Sequence, residues 1–257
     1  MAVDYIGLSQ AQAATGVRMI VPQGVPSPWS EAAKALLWLR AIPWQAVYLD
    51  QRDEDMARWS GRRSAPVLFY NQQAPLYRWH DIVAFTQQHG SGQSLVPDEP
   101  QQQQQVMAWC QRLCDARGLG WNRRLIGVDK GLKGEAGGYP EFIARYLGKK
   151  YGYDAAQAHR YQPAVIAELQ ALAQQLRQQK SQGSPFLVGT RLTIADIYLA
   201  CFMAFFKPYD DSVCAMSPVL RTVFETLDAP LEKALEPILL AHRDFIYQQF
   251  LELPLAL

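Results

Sequence analysis

The run Phe186-Leu187-Val188-Gly189-Thr190-Arg191-Leu192-Thr193-Ile194-Ala195-Asp196-Ile197 constrains this chain more than any other segment. Thr193 is a good helix N-cap and Asp196 stands at the third helical position, so each side chain can reach the other's backbone N–H. Leu192 before the cap and Ile197 after it can close as a hydrophobic staple. The helix that follows, through Ile197-Tyr198-Leu199-Ala200-Cys201-Phe202-Met203-Ala204-Phe205-Phe206, is apolar on all sides. A surface helix carries one apolar stripe, whereas a helix apolar all round is enclosed. This segment therefore reads as the central helix of a domain, entered through a buried capping box.

At 257 residues the chain allows one large domain or two modest ones. Lys and Arg number 25 against 24 Asp and Glu, a net charge of +1, which gives no argument for nucleic acid or an anionic membrane. No apolar run reaches the roughly 20 residues that span a bilayer. No basic segment leads into an apolar stretch at the N-terminus, so no secretory signal is expected. The cysteines, at 110, 114, 201 and 214, form no Cys-x-x-Cys pair and have no interleaved histidines. That disfavours a disulfide framework or a zinc site, so no metal is expected, and it suits a reducing cytoplasm.

Four segments divide the chain. Residues 1–16 read as an extension with a helical turn before Gly16. Residues 17–90 read as β-α-β followed by β-β-α: a strand at 17–21, a helix at 29–41 opened by Ser27 and Pro28, a strand at 45–49, short strands at 66–70 and 75–77, and a helix at 81–89. The helix between two strands implies parallel pairing with a right-handed crossover. Residues 91–103, rich in Gly, Ser and Pro, read as a linker. Residues 104–257 show no convincing strand and read as all-helical, with helices over 104–117, 139–150, 154–180, 193–206, 217–228 and 230–252. The glycine-rich stretch 131–138 reads as a loop.

The order βαβ, ββα, then helices resembles the glutathione transferase superfamily. Three places carry the resemblance: Ser27-Pro28-Trp29-Ser30, Ser64-Ala65-Pro66-Val67-Leu68, and Leu192-Thr193-Ile194-Ala195-Asp196-Ile197. It implies a thioredoxin-like N-terminal domain and an all-helical C-terminal domain, and it covers nearly everything after residue 16. It also implies that the Ala65–Pro66 bond is cis, and that the Ala65 backbone pairs strand-like with the cysteinyl part of glutathione. Ser27 lies where relatives place a Ser or Cys facing the glutathione sulfur. A hydroxyl there, at a helix N-terminus, can donate to a thiolate and lower the thiol's pKa; equally, it can be a plain N-cap. Serine disfavours mixed-disulfide chemistry, which needs a thiol.

One place departs from the pattern. Where relatives carry an acid followed by a hydroxyl residue to bind the γ-glutamyl end, this chain has Arg78 and Trp79. Arg78 can pair with a carboxylate, but Trp79 offers no hydroxyl. Arg62 and Arg63 read as solvated, or as help in holding an anionic tripeptide. Trp29, Trp121 and Tyr146 can line a pocket between the domains, and Trp109 reads as core. Cys110 and Cys114, one turn apart, read as buried thiols. His89, His159 and His242, and the pair Arg123-Arg124, read as surface residues.

Two functions follow. One is an enzyme joining the glutathione thiolate to a small apolar electrophile, with Ser27 activating the thiol and Ala65, Pro66, Arg78 and Trp79 holding glutathione. The other is a non-catalytic binding or scaffold protein of the same fold with weak or no glutathione binding. The resemblance implies a homodimer in either case. In both readings Thr193 and Asp196 are structural.

Overall fold

The computed structural model describes residue 3 and residues 5–255; positions 1, 2, 4, 256 and 257 of the expected segments lie outside them. The N-terminal elements are β1 (Tyr5–Ile6), α1 (Leu8–Ala13), β2 (Val17–Val21), α2 (Pro28–Leu39), β3 (Trp44–Tyr48), α3 (Glu54–Ser60), β4 (Val67–Tyr70) and α4 (Trp79–His89). The sheet runs β1-β3-β2-β4, with β3 parallel to β1 and β2, and β4 antiparallel to β2.

Side chains alternate across a strand, so the sheet buries two faces. Val17, Met19, Val21 and Leu68 pack with Ala33 and Leu37 of α2 and with Ile82 and Phe85 of α4. Ile20, Val67 and Phe69 pack on the other side with Ala11 of α1 and Met56 of α3. The stretch read as an extension thus adds an edge strand and a covering helix. A two-residue strand shows no periodicity by which to find it. Helix α1 and the turn after it are tied down by Arg18, almost fully buried, which donates to the carbonyls of Ala11 (3.0 Å), Gly16 (2.7 Å) and Asn71 (3.0 Å). The strand expected at 75–77 reduces to a single antiparallel bridge, Leu68 to Leu76.

The C-terminal elements are α5 (Pro100–Cys114), α6 (Leu119–Lys133), α7 (Glu141–Tyr151), α8 (Ala158–Ser181), α9 (Ile194–Phe202), α10 (Pro218–Glu225), α11 (Ala229–Ala234) and α12 (Pro237–Phe250). The fold is the expected one, a thioredoxin-like domain followed by helices. Every residue of α9 is buried. Asp196 Oδ2 accepts from the Thr193 N–H and from the Thr193 hydroxyl, both at 2.8 Å, while Oδ1 accepts from the Leu187 N–H at 2.7 Å.

Three expectations change here. The helix at 230–252 is two, α11 and α12, because Pro237 has no N–H to continue the ladder and opens a new helix instead. Residues 131–133 belong to the end of α6, a helix the sequence reading passed over. His242 is buried, not at the surface: its Nε2 lies 3.3 Å from Asp196 Oδ1 and its Nδ1 3.2 Å from the Pro185 carbonyl.

Helix α2 joins the two halves. Ala33 and Leu37 face the sheet, while Ala32, Ala35 and Leu36 belong to the same apolar cluster as α9. At its C-terminal end, buried Arg40 donates to the carbonyls of Gly90 (3.0 Å), Gly92 (2.7 Å) and Gln93 (2.7 Å), holding the linker against the first domain.

Candidate functional site

Sheet register brings three segments to one edge. Ile20 stands opposite Val67, so the end of β2 and the start of β4 share that edge. The chain leaves β2 there and reaches Ser27 at the start of α2. Leu76 pairs antiparallel with Leu68, so the chain runs back along β4 and reaches Arg78 beside Pro66. The N-termini of α2 and α4 and the Ala65–Pro66 peptide thus lie together. That peptide is cis. Among the described residues, neither the N–H nor the carbonyl of half-buried Ala65 has a hydrogen-bond partner.

Ser27 is the N-cap of α2 by backbone position, its carbonyl accepting from the Glu31 N–H at 2.8 Å. Its side chain makes no capping bond. The hydroxyl is therefore unused, on a residue only 6% exposed, at the positive end of a twelve-residue helix. The four cysteines are free and buried. Loss of hydration pushes their thiols up, Cys214 to about 11 and Cys201 to about 12, so none supplies a thiolate near neutral pH.

The residues at the start of α4 are largely occupied. Arg78 is exposed and paired with Asp81, Nε to Oδ2 at 3.1 Å. Trp79 is buried; its Nε1 donates to Asp115 Oδ1 at 2.6 Å and its ring meets Tyr198 edge-on at 5.9 Å. Its indole faces the helical domain and ties the two halves together. The first turn of α4 receives no side-chain cap. Arg63 is bound to Glu54 at 2.5 Å and to the Gln51 carbonyl, and the Arg62 guanidinium lies on the Tyr77 ring at 3.3 Å.

The helical domain faces this edge with α6 and α7. Trp29, on the first turn of α2, donates to the Cys114 carbonyl and packs edge-on against Phe202. The Tyr146 hydroxyl donates to the Arg63 carbonyl at 3.3 Å. Trp121 donates to the Tyr151 carbonyl at 2.8 Å and meets its ring edge-on. Arg124 lies among the rings of Trp29, Tyr151 and Phe205. Arg123 is buried and donates to the carbonyls of Phe205, Val223 and Phe224. The surface reading of this arginine pair is therefore wrong, because carbonyls and aromatic faces take the place of water. Trp109 is half-buried under Arg112, whose guanidinium stacks at 4.2 Å.

Residues 140–229 match the sequence profile of the glutathione S-transferase C-terminal domain. Solved structures extend the likeness in fold to about nine-tenths of the chain. A glutathione S-transferase of Methylobacillus flagellatus KT, with glutathione bound, aligns at TM-score 0.63 and 16% identity over 91% of this chain and 95% of its own. One from Methylobacterium radiotolerans JCM 2831, in complex with glutathione sulfonate, aligns at TM-score 0.58 and 18% identity over 91% of each chain. A glutathione S-transferase domain-containing protein of Marinobacter aquaeolei VT8 aligns at TM-score 0.61 and 14% identity, covering 90% of this chain and 98% of that one. No curated protein sequence matches this chain significantly. A two-domain fold, with the matching helical domain behind a thioredoxin-like half, defines the class. Residues 140–229 thus match the glutathione S-transferase C-terminal domain family, and the chain as a whole has the fold of these glutathione S-transferase structures.

Proposed function

We propose that this protein binds glutathione along the edge formed by Ala65 and the start of α2 and transfers its thiolate to a small electrophile with an apolar body. The observation that carries this reading is Ser27. A nearly buried hydroxyl at a helix N-terminus, making no capping bond, is free to donate to a thiolate. The unpartnered N–H and carbonyl of Ala65 are suited to pair strand-like with the cysteinyl backbone of the tripeptide. Two of the structural relatives are themselves recorded with glutathione or glutathione sulfonate, which supports the choice of ligand. The wall of Trp29, Trp121, Tyr146 and Tyr151 supplies apolar surface for the co-substrate.

The chemistry balances simply. The thiol proton goes to solvent, the sulfur forms a bond to the electrophilic carbon, and an addition ends in protonation or a displacement ends with loss of the leaving group. Ser27 stabilises the thiolate before and during attack.

A second reading, a binding protein without transfer activity, is favoured by one observation. Trp79 has no hydroxyl to offer the γ-glutamyl end and is engaged with Asp115, and Arg78 is paired with Asp81. Without that hydroxyl a buried polar group of the ligand goes unpaired, at about 1–3 kcal/mol, and affinity is expected in the millimolar range. Calorimetry with glutathione and turnover of a chloronitrobenzene by the wild type and Ser27→Ala separate the two. Transfer requires binding, activity, and a fall in kcat in the variant; binding without activity in either protein supports the second reading.

A further inference from the structure

Two cations beside the Tyr151 ring, Arg124 and Lys150, have no carboxylate partner among the described residues. The Arg124 guanidinium carbon lies 4.9 Å from the Phe205 ring centre, 5.5 Å from that of Tyr151 and 5.6 Å from that of Trp29. The residue is half-buried, and its Nε is closed off from solvent with no acceptor. The Tyr139 hydroxyl is its one oxygen partner among the described residues. Arg123 next door shows how this fold satisfies a structural arginine, with three backbone carbonyls. Arg124 has rings instead. Aromatic faces attract a cation but leave most of the guanidinium fork without an oxygen acceptor.

Lys150, at the end of α7, is the second cation. Its Nζ lies 5.6 Å from the Tyr151 ring centre. The residue is solvent-exposed, yet its ammonium is lowered to about 8, by partial loss of hydration and then by the nearby Arg124 charge. Two like charges that feel one another, with no counter-ion between them, favour an anion at that place. Trp29, which one of these cations overlies, is two residues beyond Ser27.

We propose that the co-substrate of this site carries a carboxylate or an equivalent anionic group, held by Arg124 and Lys150, with its apolar body against Trp29 and Tyr151. The planar fork of Arg124 suits a carboxylate bidentately, and Lys150 adds a point charge. Arg124 is then a specificity-determining residue and has no part in activating the thiol. The proposal rests on the reading of Ser27 as the site of thiolate transfer.

A matched pair of probes tests it: 4-chloro-3-nitrobenzoate and its methyl ester. With each, the glutathione thiolate bonds to the ring carbon bearing chlorine, chloride leaves with the bonding electrons, and the thiol proton goes to solvent. Because the ester withdraws more charge from the ring and reacts faster without protein, each kcat/KM is divided by the uncatalysed rate; on that scale the wild type is expected to prefer the carboxylate by about tenfold at neutral pH, and Arg124→Gln to lower that ratio by about tenfold or more. Quenching of tryptophan fluorescence by unreactive 4-nitrobenzoate reads the same contact without turnover. Its Kd is expected to weaken about tenfold in Arg124→Gln. Lys150→Gln, on a residue with solvent contact, carries the same comparison if the arginine variant fails to fold, with a smaller fall of about threefold.

Equal use of ester and carboxylate by the wild type on that corrected scale, or an unchanged ratio in both variants, overturns the proposal. So does an Arg124→Gln protein that loses glutathione affinity while still binding nitrobenzoate, because the anion served would then be glutathione's own carboxylate. Ester turnover without carboxylate preference defeats this proposal and leaves the transferase reading standing. Arg124-dependent nitrobenzoate binding with no glutathione binding keeps the anion subsite and defeats that reading.

Discussion

Asp196 shows how much one side chain can hold in place. Fully buried, its carboxylate accepts from the Thr193 N–H, the Thr193 hydroxyl and the Leu187 N–H, and lies beside His242. Removing it strands several buried donors at once, each at about 1–3 kcal/mol. Asp196→Ala is therefore expected to lose about 3 kcal/mol or more in urea unfolding, and Thr193→Ala about 1–2 kcal/mol, near the usual value for a cap. Equal losses would show that the carboxylate serves the cap alone. Lys150 offers a second check. Loss of hydration and the Arg124 charge both hold its ammonium near 8, so Arg124→Gln, which removes a like charge, should move it upward; NMR of the labelled lysine side chain reads this, and no shift would separate the two cations. At this scale the sequence was least legible where polarity misled. Arg123, Arg124 and His242 are polar types that usually meet water, and nothing in their spacing announces the carbonyls and rings that receive them. The placement of Ser27 before α2 and of Pro66 before β4 was legible because helix-start and strand-start signals are local, whereas the absence of a capping bond from the Ser27 side chain was not. The engagement of Trp79 with Asp115, a contact between domains, was not.

Among elements, α6 is the clearest case of tertiary packing overriding local preference. It carries Gly120, Gly127 and Gly131, which lower helix propensity and hid it from a reading by periodicity. Each glycine marks a close approach. A Cβ at Gly120 would lie 2.3 Å from a Phe202 ring carbon and 2.9 Å from Trp29, and one at Gly131 would lie 2.2 Å from the Tyr139 carbonyl oxygen. In an exposed helix Gly→Ala stabilises by about 1 kcal/mol; here Gly120→Ala is expected to destabilise by about 1–3 kcal/mol, through overpacking between α2 and α9. A urea midpoint at or above the wild type would mean that the two halves are not pressed together at Trp29. By contrast α2, α8 and α9 were legible, because each pairs a start signal or a long apolar stripe with burial on the matching face, while α5 begins at Pro100, inside the stretch read as linker. The single helix expected at 230–252 failed at Pro237, where a helix-starting residue sits inside an apolar pattern that runs on unchanged.

Over the whole molecule, the division into a sheet domain and a helical domain was legible because strand and helix periodicities segregate along the chain. How the halves meet was not, since it depends on α2 burying two faces and on contacts such as Trp29 to Cys114 and Tyr146 to Arg63. The family resemblance leads us to expect a symmetric homodimer, and light scattering at micromolar concentration should give twice the chain mass of 29.0 kDa; a value near 29.0 kDa would reject it. The central claim is that Ser27 faces the sulfur of bound glutathione. The direct test is an ultraviolet difference titration of the bound thiol against pH, at saturating glutathione, in the wild type and Ser27→Ala. In the wild type the thiol should titrate below its free value of about 8.5, by about one pH unit or more, and in Ser27→Ala it should move back toward the free value. A bound thiol that titrates as it does in water, or identical curves for the two proteins, would contradict the account.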